Sequence, residues 1–402
     1  MNPVIGSPTE SNSVPIEMGI DRWVHQRPDC LRKADLGLLM NRASVDRELR
    51  FSCDVVAQSM PGQLKALFTP QHGLWGDAQA NMVETDHGWH HGLGVPIYSL
   101  YSETRRPTAE MLAGIDCLIV DLQDVGTRVY TYFWTLLECL RACADAGVSI
   151  VVLDRPNPIG GVVVEGPLLD ESCFSFVGGA TIPMRHGLTI GEAAVWFRSE
   201  FAIDVELHVV TMEGWSPNAF YQDLGRHWIP PSPNLPTAES ALVYPGQVLL
   251  EGTNLSEGRG TTTPFEIIGA PFVDPEVLLA AIPTDALPGV RFLPLYFRPT
   301  FDKWAGQTCG GVSMHVTDRQ RFRSYRTSVQ LILAIQRLWP GDFRWLPPPY
   351  EYETRLPPID IISGGDQLRL ATASAESIDA LCQVDEQAWN DRVQGFYLYS
   401  RS

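Results

Sequence analysis

IDCLIVDLQDVGTRVYTYFWTLLECLRACADAGVSIVVLD, residues 115–154, decides the fold. It opens on an apolar run, IDCLIVDL (115–122), too uniformly hydrophobic for a strand with one wet face. Such runs belong to strands covered on both faces in a parallel sheet. After a polar loop comes YTYFWTLLECLRACADAG (130–147), whose apolar residues recur at helical spacing until Gly147 ends the segment. A second covered run, VSIVVLD (148–154), completes a strand–helix–strand crossover.

The same unit recurs upstream, in LGLLM (36–40), LKALF (64–68) and PIYSLY (96–101), each followed by polar residues. This pattern predicts the α/β class, with a Rossmann-like parallel-sheet domain over 18–235 after a flexible leader, 1–17. IPPSPNLP (229–236) fixes the backbone and breaks regular structure. A smaller C-terminal α/β domain is expected over 236–402. In it SVQLILAIQRLW (328–339) reads as a helix stopped by Pro340 and Gly341, LPPPYEYETRLPP (346–358) as a rigid linker, and 375–399 as helices.

The 402 residues are 45% hydrophobic and 19% charged, which fits a globular protein with sizeable cores. Thirty basic against 47 acidic residues give a net charge of −17, an unfavourable footprint for nucleic acid. Nearly all the basic residues are Arg, whose planar fork suits carboxylates; Lys33, Lys65 and Lys303 are the exceptions. Eight scattered cysteines without a CxxC indicate a reducing compartment. With no secretory leader pattern and no membrane-length apolar run, the expected location is cytoplasmic.

Open parallel sheets bind ligands beyond the carboxyl ends of their strands. Those ends carry Asn41 and Arg42, Gln71 and His72, Tyr101 and Glu103, then Asp121, Gln123, Asp124 and Arg128, and finally Asp154, Arg155 and Asn157. Asp121 reads as a structural residue at its strand end. Asp124, before a Gly turn, is freer to face a ligand. Arg128 either clamps a carboxylate or pairs with Asp121 or Asp124. Glu165, between Val164 and Gly166, is either an acid with a raised pKa or an exposed strand glutamate. Thr189 and Glu192 form a capping-box pattern, with His186 just before it. TNLSEGRGTTTPFE (253–266) offers Asn254, Glu257 and Arg259 on a Gly-rich turn suited to an anion. The spacings of a P-loop, a dinucleotide fingerprint, HExxH and GxSxG are absent. DHGWHHG (86–92) is either a solvated loop or a metal cluster using His87, His90 and His91.

DLQDVGTRVYTY, LDRPNPIGG with VEGP, IPMRHGLTIGE, PSPNLPT, YPG, EGTNLSEGRGTTTPFE and FYLY together resemble the NamZ (YbbC-like) exo-β-N-acetylmuramidases, glycoside hydrolase family 171, formerly a domain of unknown function. The likeness runs from about Gly19 to Tyr399. It implies a cleft between the two domains, no nucleotide cofactor despite the Rossmann-like topology, and removal of N-acetylmuramic acid from the non-reducing end of peptidoglycan fragments. The family pattern PEHG reads PQHG here, so the chain resembles a divergent branch with Gln71 where the glutamate stands.

Glycoside cleavage calls for two carboxyls, or for one carboxyl that orients the substrate's own amide. The expected acid is Glu84 or Glu165, with Asp124 as second carboxylate and His72 positioning a hydroxyl or relaying a proton. The candidate substrate-binding residues are Gln71, Arg128, Tyr130, Arg155, Asn157, His186, Asn234, Asn254, Glu257 and Arg259, with Arg128, Arg155 or Arg259 meeting an anionic substituent. The expected partner is a small carbohydrate, with no metal or cofactor, no nucleic acid and no membrane insertion. The competing reading is a sugar-binding homologue that lacks the acid.

Overall fold

A computed structural model describes residues 16–79, 82–371 and 375–401. The first sheet has seven strands: β1 Leu36–Met40, β2 Leu64–Thr69, β3 Gly88–His90, β4 Val95–Ser99, β5 Cys117–Asp121, β6 Ser149–Leu153 and β7 Leu207–Val210. Their spatial order is β3-β4-β2-β1-β5-β6-β7. All neighbours are parallel except β3, which pairs antiparallel with β4 at the edge. Counted alone, the parallel strands run 3-2-1-4-5-6, the doubly wound order. β1 and β5 are buried along their whole length, as their unbroken apolar sequence requires.

The crossover helix lies within a residue of its expected span. It runs Thr131–Ala146, and Gly147 ends it at φ 67°, a left-handed conformation that glycine adopts at little cost. The capping box at Thr189 also forms. The Thr189 side chain accepts from the Glu192 amide at 3.1 Å, and Glu192 returns the bond at 3.0 Å, opening the helix Ile190–Glu200. Burial pushes the Glu192 carboxyl up to about 7, against the pull of Arg401.

The second sheet is small and antiparallel: β8 Ile267–Ala270, β9 Val290–Phe297 and β10 Cys309–Val316, ordered β8-β10-β9. The helix expected at 328–339 begins earlier and spans Ser324–Leu338. It packs on the helix Ala238–Gln247, where Gly246 meets Ser324 so closely that a β-carbon would lie 2.0 Å from the Ser324 carbonyl oxygen. One continuous apolar cluster joins the halves, with Phe133 and Ile182 from the first and Leu249 and Ile332 from the second.

Most of the expected leader lies outside the described residues. Its end is fixed: Ile16 is buried, and Glu17 bridges to Glu213. The stretch 346–358 is not a linker. It folds back so that Tyr350 and Glu351 are buried between the halves. DHGWHHG forms the β3 edge and its turn. His87 pairs with Glu103 at 2.9 Å and accepts from the Ser99 amide, while His90 accepts from the Leu93 amide. Among the described residues, no three His, Cys, Asp or Glu side chains are grouped to hold a metal, and no helix is long and apolar enough to cross a membrane.

Beyond β5 and β6, Asp121 and Arg155 form a buried two-point ion pair, with nitrogen–oxygen distances of 2.5 and 2.8 Å. Ser52 also donates to the Asp121 carboxylate, and Arg155 also reaches the Val45 carbonyl at 3.0 Å. Asp121→Ala would leave an unpaired buried guanidinium and is expected to cost about 3–5 kcal/mol. Urea unfolding measures this, and Asp121→Leu combined with Arg155→Met is expected to recover much of the loss.

Candidate active site

The strand ends do converge, but their side chains divide into two sets. One set holds the scaffold. Arg155 is spent on Asp121. Arg128 is fully buried and contacts neither Asp121 nor Asp124. Its guanidinium donates to the carbonyls of Pro167, Ile182 and Ile362 at 2.8–2.9 Å. Burial without a carboxylate partner lowers its pKa to about 10. Asn157 donates to the Leu188 carbonyl at 3.0 Å and accepts from the Ile159 amide at 3.2 Å, closing the proline loop. Gly126 sits against it at φ 72°, with no room for a side chain. Asn254 bonds the Asp342 carbonyl and the Arg344 amide within the second half.

Glu165 belongs to this set too, neither exposed nor facing the cleft. It pairs with Arg185 at 2.8 Å and accepts from the Tyr325 amide at 3.1 Å, at the start of the Ser324–Leu338 helix. Glu84 lies at the rim, more than half exposed, 3.3 Å from both Arg105 and the Tyr352 hydroxyl. The structure therefore brings neither expected acid to the cavity described next.

The second set meets in a narrow cavity of about 20 Å³ between the halves. Gln71, His72, Tyr130 and Thr131 come from the first half; Tyr244, Arg259, Phe265, Tyr350 and Glu351 come from the second. The Gln71 amide is oriented from both sides. Its Oε1 accepts from the Thr131 hydroxyl at 2.8 Å, which turns its NH₂ to donate to Glu351. The Tyr132 hydroxyl lies between the carbonyls of Gln71 (3.1 Å) and Pro231 (2.7 Å). Asn234 donates to the Gln79 carbonyl at 2.8 Å and pins the loop that carries His72.

His72 donates from Nδ1 to the Ala78 carbonyl at 2.7 Å, which leaves Nε2 as an acceptor. Burial holds its pKa down to about 4; the Ala78 bond opposes this and the Arg259 charge adds to it. Its backbone is left-handed at φ 73°, unusual for a residue with a side chain.

Arg259 binds Glu251 at 2.7 Å and Glu257 at 3.0 Å, and Lys303 binds Glu257 at 2.9 Å. Asp302 also lies 4.0 Å from Arg259, so two cations face three carboxylates in this wall and the Gly-rich turn is not an open anion nest. Burial opposes ionisation of Glu257, but Lys303 and Arg259 outweigh it and lower its pKa. The same wall lines a wider cavity of about 420 Å³ that shares Arg259 and Tyr350 with the inner one. That size falls in the range of about 300–1,000 Å³ usual for small-ligand pockets.

Asp124 and His186 lie deeper. Asp124 Oδ2 accepts from the Gly126 amide at 2.7 Å and lies 3.7 Å from His186 Nε2, while Oδ1 is buried without a hydrogen-bond partner. The His186 ring lies tilted against Phe133, with centroids 4.5 Å apart, and accepts from the Leu188 amide. The Asp124 charge is felt by Tyr130, Tyr132 and Tyr244, whose phenols are raised chiefly by burial.

Sequence alone singles out neither Glu351 nor Glu251, whereas it does place Tyr101 just past a strand end. The alternation of aromatic and acidic residues in YEYE, held between prolines, is the signal that could mark Glu351. Glu251 carries no local signal, because only the fold sets it against Arg259. The His72 ring is expected to stay neutral, with Nδ1 protonated, from pH 8 down to about 5. Nitrogen-15 NMR of the imidazole checks this, and protonation near the usual histidine value of about 6.5 would contradict it.

Residues 36–239 match the N-terminal family of exo-β-N-acetylmuramidase NamZ, and residues 242–399 match its C-terminal family. The peptidoglycan β-N-acetylmuramidase NamZ of Bacillus subtilis (strain 168) is 45% identical over 331 residues, which cover 82% of this chain and 80% of that protein. Two crystal structures of DUF1343 family proteins from Bacteroides fragilis NCTC 9343 superpose on it. One has a TM-score of 0.86 at 32% identity, covering 96% of this chain and all of that one. The other has a TM-score of 0.74 at 27% identity, covering 97% of this chain and all of that one. Both halves and the length of the match place this chain in the exo-β-N-acetylmuramidase NamZ family.

Proposed function

We propose that this protein is a glycosidase that removes N-acetylmuramic acid, or a closely related amino sugar, from the non-reducing end of peptidoglycan fragments. The observation that carries the reading is the narrow inner cavity together with the cavity of about 420 Å³ that shares Arg259 and Tyr350 with it. A neutral imidazole acceptor, a carboxylate-paired arginine and the rings of Tyr130, Tyr244, Phe265 and Tyr350 surround one buried space. Aromatic faces suit the apolar faces of a pyranose, and buried polar groups suit its hydroxyls. Family membership supports the same substrate class, which the relative from Bacillus subtilis carries in its name.

In this reading His72 Nε2 accepts a sugar hydroxyl, and the Arg259 guanidinium, held by its carboxylates, donates a hydrogen bond to a substituent of the sugar. Asp124 is a carboxylate of the first half beside the cavity. Gln71 serves as a hydrogen-bond donor rather than an acid. The competing reading, a binding protein without turnover, draws on the amide at position 71 and on the engagement of Glu165 elsewhere.

The test is release of 4-nitrophenol from the 4-nitrophenyl β-glycosides of N-acetylmuramic acid and N-acetylglucosamine. The muramic derivative is expected to be preferred by about 100-fold or more in kcat/KM, because the analogue leaves buried polar groups unpaired. Saturable binding of the muramyl glycoside without release would instead identify a binding protein.

A further inference from the structure

We infer that Glu351 is the general acid of the cleavage, brought to the first half's cleft by the second half of the chain. This rests on the glycosidase reading above. Glu351 is 3% exposed and lines the inner cavity with His72 and Arg259. Its Oε2 accepts from the Tyr101 hydroxyl at 2.8 Å, and the Gln71 amide donates to the same carboxyl. The backbone is left-handed at Glu351 (φ 44°) and again at Tyr352 (φ 70°). Non-glycine residues are held this way where surrounding structure over-determines them, often at functional sites.

The charged and titratable groups around it come from every side. Glu251 faces it from the second half, Arg105 and Tyr101 from the first, and Tyr244, Tyr350 and Tyr352 also feel its charge. Burial and the neighbouring Glu251 favour the protonated form, while Tyr101, Arg105 and Gln71 oppose it; the balance lies at about 7. Glu251 itself is held by Arg259 and by the Tyr350 hydroxyl at 2.7 Å. Two nearby carboxyls thus have different surroundings, the arrangement that separates an acid from a carboxylate.

The step balances as follows. Glu351 gives its proton to the glycosidic oxygen, and the C1–O bond breaks with its electron pair going to that oxygen. The oxygen of water ends on C1 with one hydrogen, and its other hydrogen restores the Glu351 carboxyl. Directly or through the 2-acetamido oxygen, the sum is glycoside plus water to sugar plus alcohol.

Because the acid must be protonated, activity of the unmodified protein is expected to fall as pH rises through about 7. Glu351→Gln is to be assayed on a muramyl disaccharide, whose alcohol needs a proton to leave, and on the 2,4-dinitrophenyl glycoside, whose phenolate does not. The expected result is a loss of about 100-fold or more in kcat on the disaccharide, under about 10-fold on the activated glycoside, and no fall in rate near pH 7. Tyr101→Phe removes a donor that favours the carboxylate, so it is expected to move the alkaline limb to higher pH. This second variant decides the matter if the first does not fold. Equal losses on both glycosides, an unchanged disaccharide rate, or an alkaline limb unmoved by Tyr101→Phe would overturn the assignment. Silence of the unmodified protein on both glycosides would overturn the glycosidase reading and the assignment with it.

Discussion

The carboxylate of Glu165 joins the two halves of the molecule. One oxygen binds Arg185 of the first half, and the other takes the Tyr325 amide that opens a helix of the second. A helix N-terminus carries partial positive charge and unpaired N–H groups, so a carboxylate there is doubly favoured. Arg128 makes the matching connection in the other direction, reaching the Ile362 carbonyl of the second half at 2.8 Å. Both groups are buried, so neither can let go without leaving an uncompensated charge or donor. This fixes the spacing across the cavity. Together with the apolar cluster through both halves it lets Gln71 and Glu351 meet, and a displacement of about 1 Å at a reacting group can cost about 100-fold in rate.

With the spacing fixed, the electrostatics of the cleft follow from pairing. Arg259 and Lys303 are paired with Glu251 and Glu257, with Asp302 4.0 Å from Arg259, so neither cation of that wall is left without a carboxylate. His72 is neutral because burial and Arg259 outweigh its bond to Ala78. The proton of Glu351 is then controlled by local burial and a few named neighbours. A preorganised cleft is also suited to a polar substrate that must shed its water before it reacts.

The fold was legible because covered strands leave an unbroken apolar record and one long helix has a clear period and stop. The short edge strand at 88–90 and the small antiparallel sheet leave weaker records, since their residues are half exposed or glycine-rich. Of the residues that line the inner cavity, strand ends and a Gly-rich turn pointed to Gln71, His72 and Arg259, and the family motif to Tyr130. Sequence alone misjudged Glu165 because an acid among apolar neighbours looks the same whether it serves chemistry or an ion pair. The difference is Arg185, twenty residues away in sequence. Glu351 was hidden for the opposite reason. Its prolines suggested a spacer, whereas here their stiffness holds a buried loop.

Strain is distributed in the same way. His72, Phe265, Glu351 and Tyr352 all have left-handed backbones, and the first three line the inner cavity. Each such residue costs of order 1–3 kcal/mol, an amount a protein tolerates only where other contacts outweigh it. The continuous apolar cluster through both halves provides those contacts at a distance from the cleft. The strained loops therefore do not need good local packing of their own. They need only the fixed spacing set by Glu165 and Arg128, and so their side chains remain free to be chosen for what they present to the cavity.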